Sequence, residues 1–194
     1  MDTQIFNHWT DLNTNTIKTW KDMVARMLFV YHFIMDMYQR KLNRILVASL
    51  ILSSIATVLS AVSTLSLTTN EAIYLYIALA INICVTILSA WITILGGVIK
   101  IYKLDEIVSS YVSYINKLDI FYLSVSQQLL LPPSLREDAI LFIQRENNTY
   151  NEIIKQSPSI DMSEQINALK EYQKYLNDKT LHPCPYDNDI IIYI

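Results

Sequence analysis

Residues 45–67, ILVASLILSSIATVLSAVSTLSL, decide how this chain reads: 23 consecutive positions without one charged side chain. A second run, residues 72–99, AIYLYIALAINICVTILSAWITILGGVI, covers 28 positions and is equally free of charge. As helices they would reach roughly 35 and 42 Å, against a hydrocarbon layer about 30 Å thick. Backbone groups in lipid must find their hydrogen bonds within the segment, and neither run alternates as a strand does. Two membrane-spanning helices are the expectation. The alternative is a pair of buried helices in a large soluble bundle, which 194 residues cannot wrap on all sides.

Composition agrees. Hydrophobic residues make up 52% of the chain and charged ones 17%, below the roughly 25% of soluble domains. A net charge of −3 gives no basic field for nucleic acid, so no nucleic-acid partner is expected. Two glycines leave little room for phosphate-cradling loops or a β-barrel, and two cysteines, Cys84 and Cys184, do not make a disulfide framework.

The connector Thr68-Thr69-Asn70-Glu71 is short and polar, so the spans form an antiparallel hairpin. Arg40, Lys41 and Arg44 precede the first span, Lys100 and Lys103 follow the second, and the connector carries only Glu71. The positive-inside rule then puts both termini on the cytoplasmic side, with Tyr74 and Tyr76 in the opposite aromatic belt. The polar start predicts no cleavable signal peptide.

Small residues recur along each span. Ser49, Ser53, Ala56, Ser60 and Ser63 mark one stripe of the first; Ala78, Asn82, Thr86, Ser89, Thr93 and Gly96 mark one of the second. Such stripes let helices approach closely in lipid, with hydroxyls and the Asn82 amide bonding across the contact. Either the two stripes close the hairpin, or the second lines a pore at an oligomer axis. Neither span carries an ionisable acid, base or histidine, which argues against a proton relay or an ion-coupled transporter.

Outside the spans the pattern remains helical. Ile17, Trp20, Val24, Met27, Tyr31, Ile34 and Tyr38 give the N-terminal segment, residues 1–44, an amphipathic arm capped by Asn15 or Thr16. Ile101, Leu104, Val108, Tyr111, Ile115, Leu118, Tyr122, Val125 and Leu129 keep the same period through residues 100–131, a predicted unbroken extension of the second span that Pro132-Pro133 stops. Two such arms pack together as a stalk, or the first lies on headgroups. In residues 132–180, Ser134-Leu135-Arg136-Glu137 reads as a capping box opening a helix to about Gln156, and a further helix is expected from Ser163 to Asp178. The tail, residues 181–194, is extended and ends in Ile190, Ile191, Ile192, Tyr193 and Ile194. That sticky strand could add to a partner's sheet or tuck against its own helices. The fold class is thus all-α membrane protein, a two-helix transmembrane hairpin with amphipathic arms on one side and an extended tail.

Catalytic chemistry has no residues to stand on. His182 and Cys184 could supply two metal ligands, but a site needs three or four. His8 and His32 stand alone, no serine sits in a nucleophile elbow, and no glycine-rich loop follows a strand. No enzyme activity, cofactor or metal is expected.

Two stretches resemble a known group. Residues 38–67, YQRKLNRILVASLILSSIATVLSAVSTLSL, resemble the approach to the first span in two-span membrane proteins of giant nucleocytoplasmic large DNA viruses. Residues 131–160, LPPSLREDAILFIQRENNTYNEIIKQSPSI, carry that group's L-P-x-x-x-R segment, a helix with a tyrosine, and a Ser-Pro-x-Ile ending. Here these are Leu131, Pro132, Arg136, Tyr150, Ser157, Pro158 and Ile160. The group is similar to SLATT domains, two-span helical modules proposed as pore-forming effectors. The resemblance implies a viral two-pass protein in the virion internal membrane or a host organelle membrane. Its expected role is structural, linking that membrane to capsid or minor capsid proteins. The alternative is an oligomeric pore, with copies of the same chain as partners.

Overall fold

The computed structural model describes residues 6–66 and 72–177, and among these every regular element is helical. Five α-helices follow in order: α1 (Asp11–Ser66), α2 (Ala72–Ile101), α3 (Leu104–Leu130), α4 (Ala139–Lys155) and α5 (Met162–Asn177). Short 3-10 turns occupy Phe6–His8 and Pro133–Leu135. Two of the helices are long and apolar enough to cross a membrane. They are α1, whose best window has mean hydropathy 2.4, and α2, whose best window has 2.2.

Helix boundaries correct the expectations in three places. First, α1 starts at Asp11 rather than near Asn15 or Thr16, because the Thr10 hydroxyl accepts the Asn13 amide at 3.2 Å and opens the helix earlier. Second, the predicted unbroken run from the second span toward Leu131 is interrupted at Tyr102-Lys103. Lys103 adopts a left-handed φ of 48°, ending α2 before α3 begins at Leu104. Periodicity cannot register such a break, since one left-handed residue leaves the spacing of apolar positions intact. Third, the Ser134–Glu137 capping box does not form. Pro132 and Pro133 wind the chain into a 3-10 turn, with the Leu135 amide on the Pro132 carbonyl at 2.8 Å. Asp138 caps α4 instead, accepting the Ile140 and Leu141 amides at 3.0 and 3.2 Å.

The chain divides into two compact units. One comprises residues 1–36 with 109–194, the other residues 37–108. In the first, the core takes members of both predicted stripes together with Leu28 and Phe121, which neither stripe contained. Ile17, Val24, Leu28 and Ile34 are fully buried on α1, as are Leu118 and Val125 on α3, with Phe121 1% exposed. Each such side chain is worth about 1.5–3 kcal/mol. Aromatic pairs tie in the later helices: Trp20 stacks on Tyr150 of α4 at 6.1 Å, and Phe121 meets the same ring at 5.7 Å. Phe29 packs between Tyr172 and Tyr175 of α5 at 5.1 and 5.7 Å. Tyr31 lies 4.6 Å from Tyr114 of α3.

Candidate functional site

In the second unit, α1 and α2 meet through a polar clasp. Ser63, 2% exposed, donates to the Asn82 side-chain carbonyl at 2.9 Å and lies 3.4 Å from the Ala78 carbonyl. The covered stripe of α1 runs through Ile45, Ser49, Leu52, Ala56, Leu59 and Ser63, so three members of its small-residue set, Ser49, Ala56 and Ser63, lie on it. Ser53 and Ser60 are exposed beside it. On α2 the covered stripe is Ala78, Ile81, Val85, Leu88, Ile92 and Leu95. Ala78 shares it, whereas Asn82, Thr86, Ser89, Thr93 and Gly96 are exposed one position round the helix. Branched side chains of α2 therefore face a mixed surface of α1. Large against small fills the gap that two small faces would leave. The signal for this stripe was present in the sequence, at the same spacing one residue earlier.

The displaced hydroxyls border an open groove of about 530 Å³, lined by Ser53, Ala56, Thr57, Ser60, Ala61 and Thr64 of α1 with Ser89 and Ile92 of α2. Four threonines of the pair donate to their own helix one turn back: Thr57 to Ser53, Thr64 to Ser60, Thr86 to Asn82 and Thr93 to Ser89, at 2.8–2.9 Å. Hydroxyls bonded this way leave no donor unmet in an apolar medium. Only 6% of each most apolar window is buried, so the large side chains of both helices face outward. The flanking Arg40, Lys41, Arg44, Lys100 and Lys103 are all exposed in this unit. Cys84 is a free, exposed thiol.

In the first unit, the LPPSLR and SPSI segments become joints. Pro132 follows the end of α3, and the Arg136 guanidinium bonds the carbonyls of Leu131 and Leu129 at 2.8 and 2.9 Å, capping that helix. The same guanidinium sits 4.7 Å over the Trp9 ring. Around it the N-terminal turn is strapped down. Asn7 donates to the Arg136 carbonyl and Trp9 to the Glu137 carbonyl, each at 2.7 Å, and His8 Nδ1 meets the Asp138 carboxylate at 2.6 Å. The His8 contact and the two helix-end amides hold the Asp138 carboxyl below its usual range.

The Ser-Pro-x-Ile ending is gripped by tyrosines: Tyr31 bonds the Ser157 hydroxyl, and Tyr111 donates to the Ser159 carbonyl at 3.2 Å. Burial, then the neighbouring Tyr31, pushes Tyr114 up to about 12. Burial raises Tyr111, aided by the Glu164 carboxylate, and also raises Tyr150. Glu146, 5% exposed, accepts from Ser124 at 3.0 Å and from Arg145 at 3.3 Å, and Arg145 also reaches Glu137 at 2.8 Å. These contacts are structural, holding helix to helix.

Among the described residues no three His, Cys, Asp or Glu side chains are placed to hold a metal. His182, Cys184, the connector Thr68–Glu71 and the tail Ile190–Ile194 lie outside the described residues. No family model, curated protein or solved structure matches the chain.

Proposed function

We propose that the chain is a two-pass membrane anchor of a large DNA virus, seated in the virion's internal membrane and tying it to capsid-side proteins. Its α1 and α2 segments form an antiparallel hairpin across the bilayer, and the amphipathic arms form a stalk on the capsid-facing side, where both termini lie. The observation carrying this reading is the outward apolar surface of both spans, since an ordinary soluble core helix would hide the side chains that 94% of each window leaves unburied. The one-sided cations support the orientation. The first unit offers the reading a folded helical module, its core closed by aromatic packing and its polar contacts capping helices and joining segments. The LPPSLR and SPSI segments support the viral assignment through the resemblance.

Crosslinking in purified particles, followed by detergent extraction, tests the role. The protein should partition with the internal membrane and crosslink to shell components; its absence from particles overturns the assignment.

A second reading, an oligomeric pore, is favoured by one observation: Asn82, Thr86, Ser89 and Thr93 form an exposed polar stripe on α2. Purified chain in liposomes would then release small dyes, and Asn82→Leu would change the leak. An intact dye gradient removes this reading.

A further inference from the structure

We propose that Arg40, Lys41, Arg44, Lys100 and Lys103 form one collar that binds the headgroups of anionic phospholipids. The inference rests on the two-pass reading and names a ligand class for the edge of the hairpin. The Ser63–Asn82 hydrogen bond sets the register of the two helices. Arg44 stands 19 residues before Ser63, and Lys100 stands 18 residues after Asn82. In an antiparallel hairpin the two positions lie about 28 and about 27 Å from the clasp, at one height. Basic rows far apart in sequence thus meet as a single ring where the spans leave the hydrocarbon.

The ring has charge to spare. Lys103 spends its charge on Glu106 at 3.2 Å, and the Lys41 ammonium sits 4.9 Å over the Tyr38 ring. Among the described residues, Arg40, Arg44 and Lys100 have no carboxylate within ion-pair distance, and all three are exposed. The nearby acids Asp105 and Glu106 occupy the first turn of α3, where they answer the helix N-terminus. An anion must approach at headgroup level to meet the three free cations, and phospholipid phosphates and carboxylates are concentrated there.

A second feature lies one turn below. Gly96 and Gly97 are the chain's two glycines, and a Cβ at either would meet nothing within 4 Å. Packing inside the chain does not require them. They bare the α2 backbone at the depth of the lipid ester groups, leaving room for a headgroup drawn in by Lys100.

The test uses the full chain in mild non-ionic detergent, offered mixed phosphatidylcholine and phosphatidylserine, with bound lipid counted by native mass spectrometry. Wild type should retain phosphatidylserine preferentially, and added salt should weaken the preference. Each cation is worth roughly fivefold, so the Arg40→Gln, Arg44→Gln, Lys100→Gln triple variant should lose about a hundredfold in relative affinity. Because these charges also steer insertion, the charge-preserving pair Arg40→Lys, Arg44→Lys is measured beside it and should keep the preference. Equal retention of both lipids by wild type, or an undiminished preference in the triple variant, overturns the proposal. Alkaline washing of membranes separates the two readings. A chain that washes off overturns the two-pass anchor together with the collar; one that stays embedded without lipid preference overturns the collar alone.

Discussion

Ser63→Ala should destabilise the paired spans while Asn82→Leu, which breaks the same hydrogen bond, should be nearly neutral. The two partners differ in what they can fall back on. With Asn82 gone, the Ser63 hydroxyl can turn to the Ala78 carbonyl, already 3.4 Å away. With Ser63 gone, the Asn82 carbonyl loses the only side-chain donor observed on it among the described residues, about 15 Å into the span from Ala72. Hydrogen bonds between membrane helices average about 0.6 kcal/mol and reach about 1.7, and under the two-pass reading the exposed Asn82 carbonyl would be left facing lipid without a donor. Ser63→Ala should therefore cost about 1–2 kcal/mol, and Asn82→Leu less than about 0.5 kcal/mol. Combining them should bring the cost back to that of Asn82→Leu alone, because no orphan is left. A double-mutant cycle of reversible unfolding in lipid bicelles measures all three. Equal costs for the two single variants, or purely additive costs in the double, would refute the argument from unequal fallback.

Further outcomes follow from the first unit. Phe142→Ala, at a fully buried ring 6.3 Å from Trp9, should cost about 3–5 kcal/mol, read as a fall in the midpoint of chemical unfolding. Tyr114 is held protonated up to about 12, above its ordinary value of 10.0, so the fold keeps this contribution below pH 10 and loses it as pH climbs toward 12. Ultraviolet titration of phenolate beside circular dichroism should show late tyrosine ionisation coinciding with unfolding, and Tyr114→Phe should delay that loss. Asp138 has the opposite sign. Its lowered carboxyl supports the fold above the ordinary carboxylate range, and that support fades as pH falls below it. Asp138→Ala should speed hydrogen exchange at the Ile140 and Leu141 amides without affecting α5.

The two long apolar helices were legible because each is written as a long uncharged run, a feature the sequence displays openly. Part of the first unit's core was legible for a similar reason: Ile17, Val24, Tyr31, Leu118 and Val125 repeat at helical spacing and are buried. Contacts set by single side chains were harder to see. The left-handed turn at Lys103 needs no glycine and leaves the apolar period undisturbed. Asp138 and Ser134 are both plausible caps by type, and the prolines beside Ser134 decided between them. On α2, two stripes one residue apart carry the same spacing. Side-chain volume, which periodicity ignores, selected Ile81, Val85 and Leu88 over Asn82, Thr86 and Ser89. The strap of Asn7, His8 and Trp9 onto residues 136–138 joins positions 128–130 apart in sequence, a distance no local pattern spans.

That strap has a consequence for biogenesis. Its two halves are made 128–130 residues apart, with both apolar stretches between them. The earlier half must therefore wait, its arm stripe unshielded, until α3 and α4 have been made. Under the two-pass reading, closure also requires both stretches to have entered the bilayer and returned the chain to its starting side. A polypeptide threaded only once would strand the two halves in separate compartments, with Trp9 and the arm exposed to quality control. Under that reading, correct insertion is read out by the folding of the unit that carries the strap.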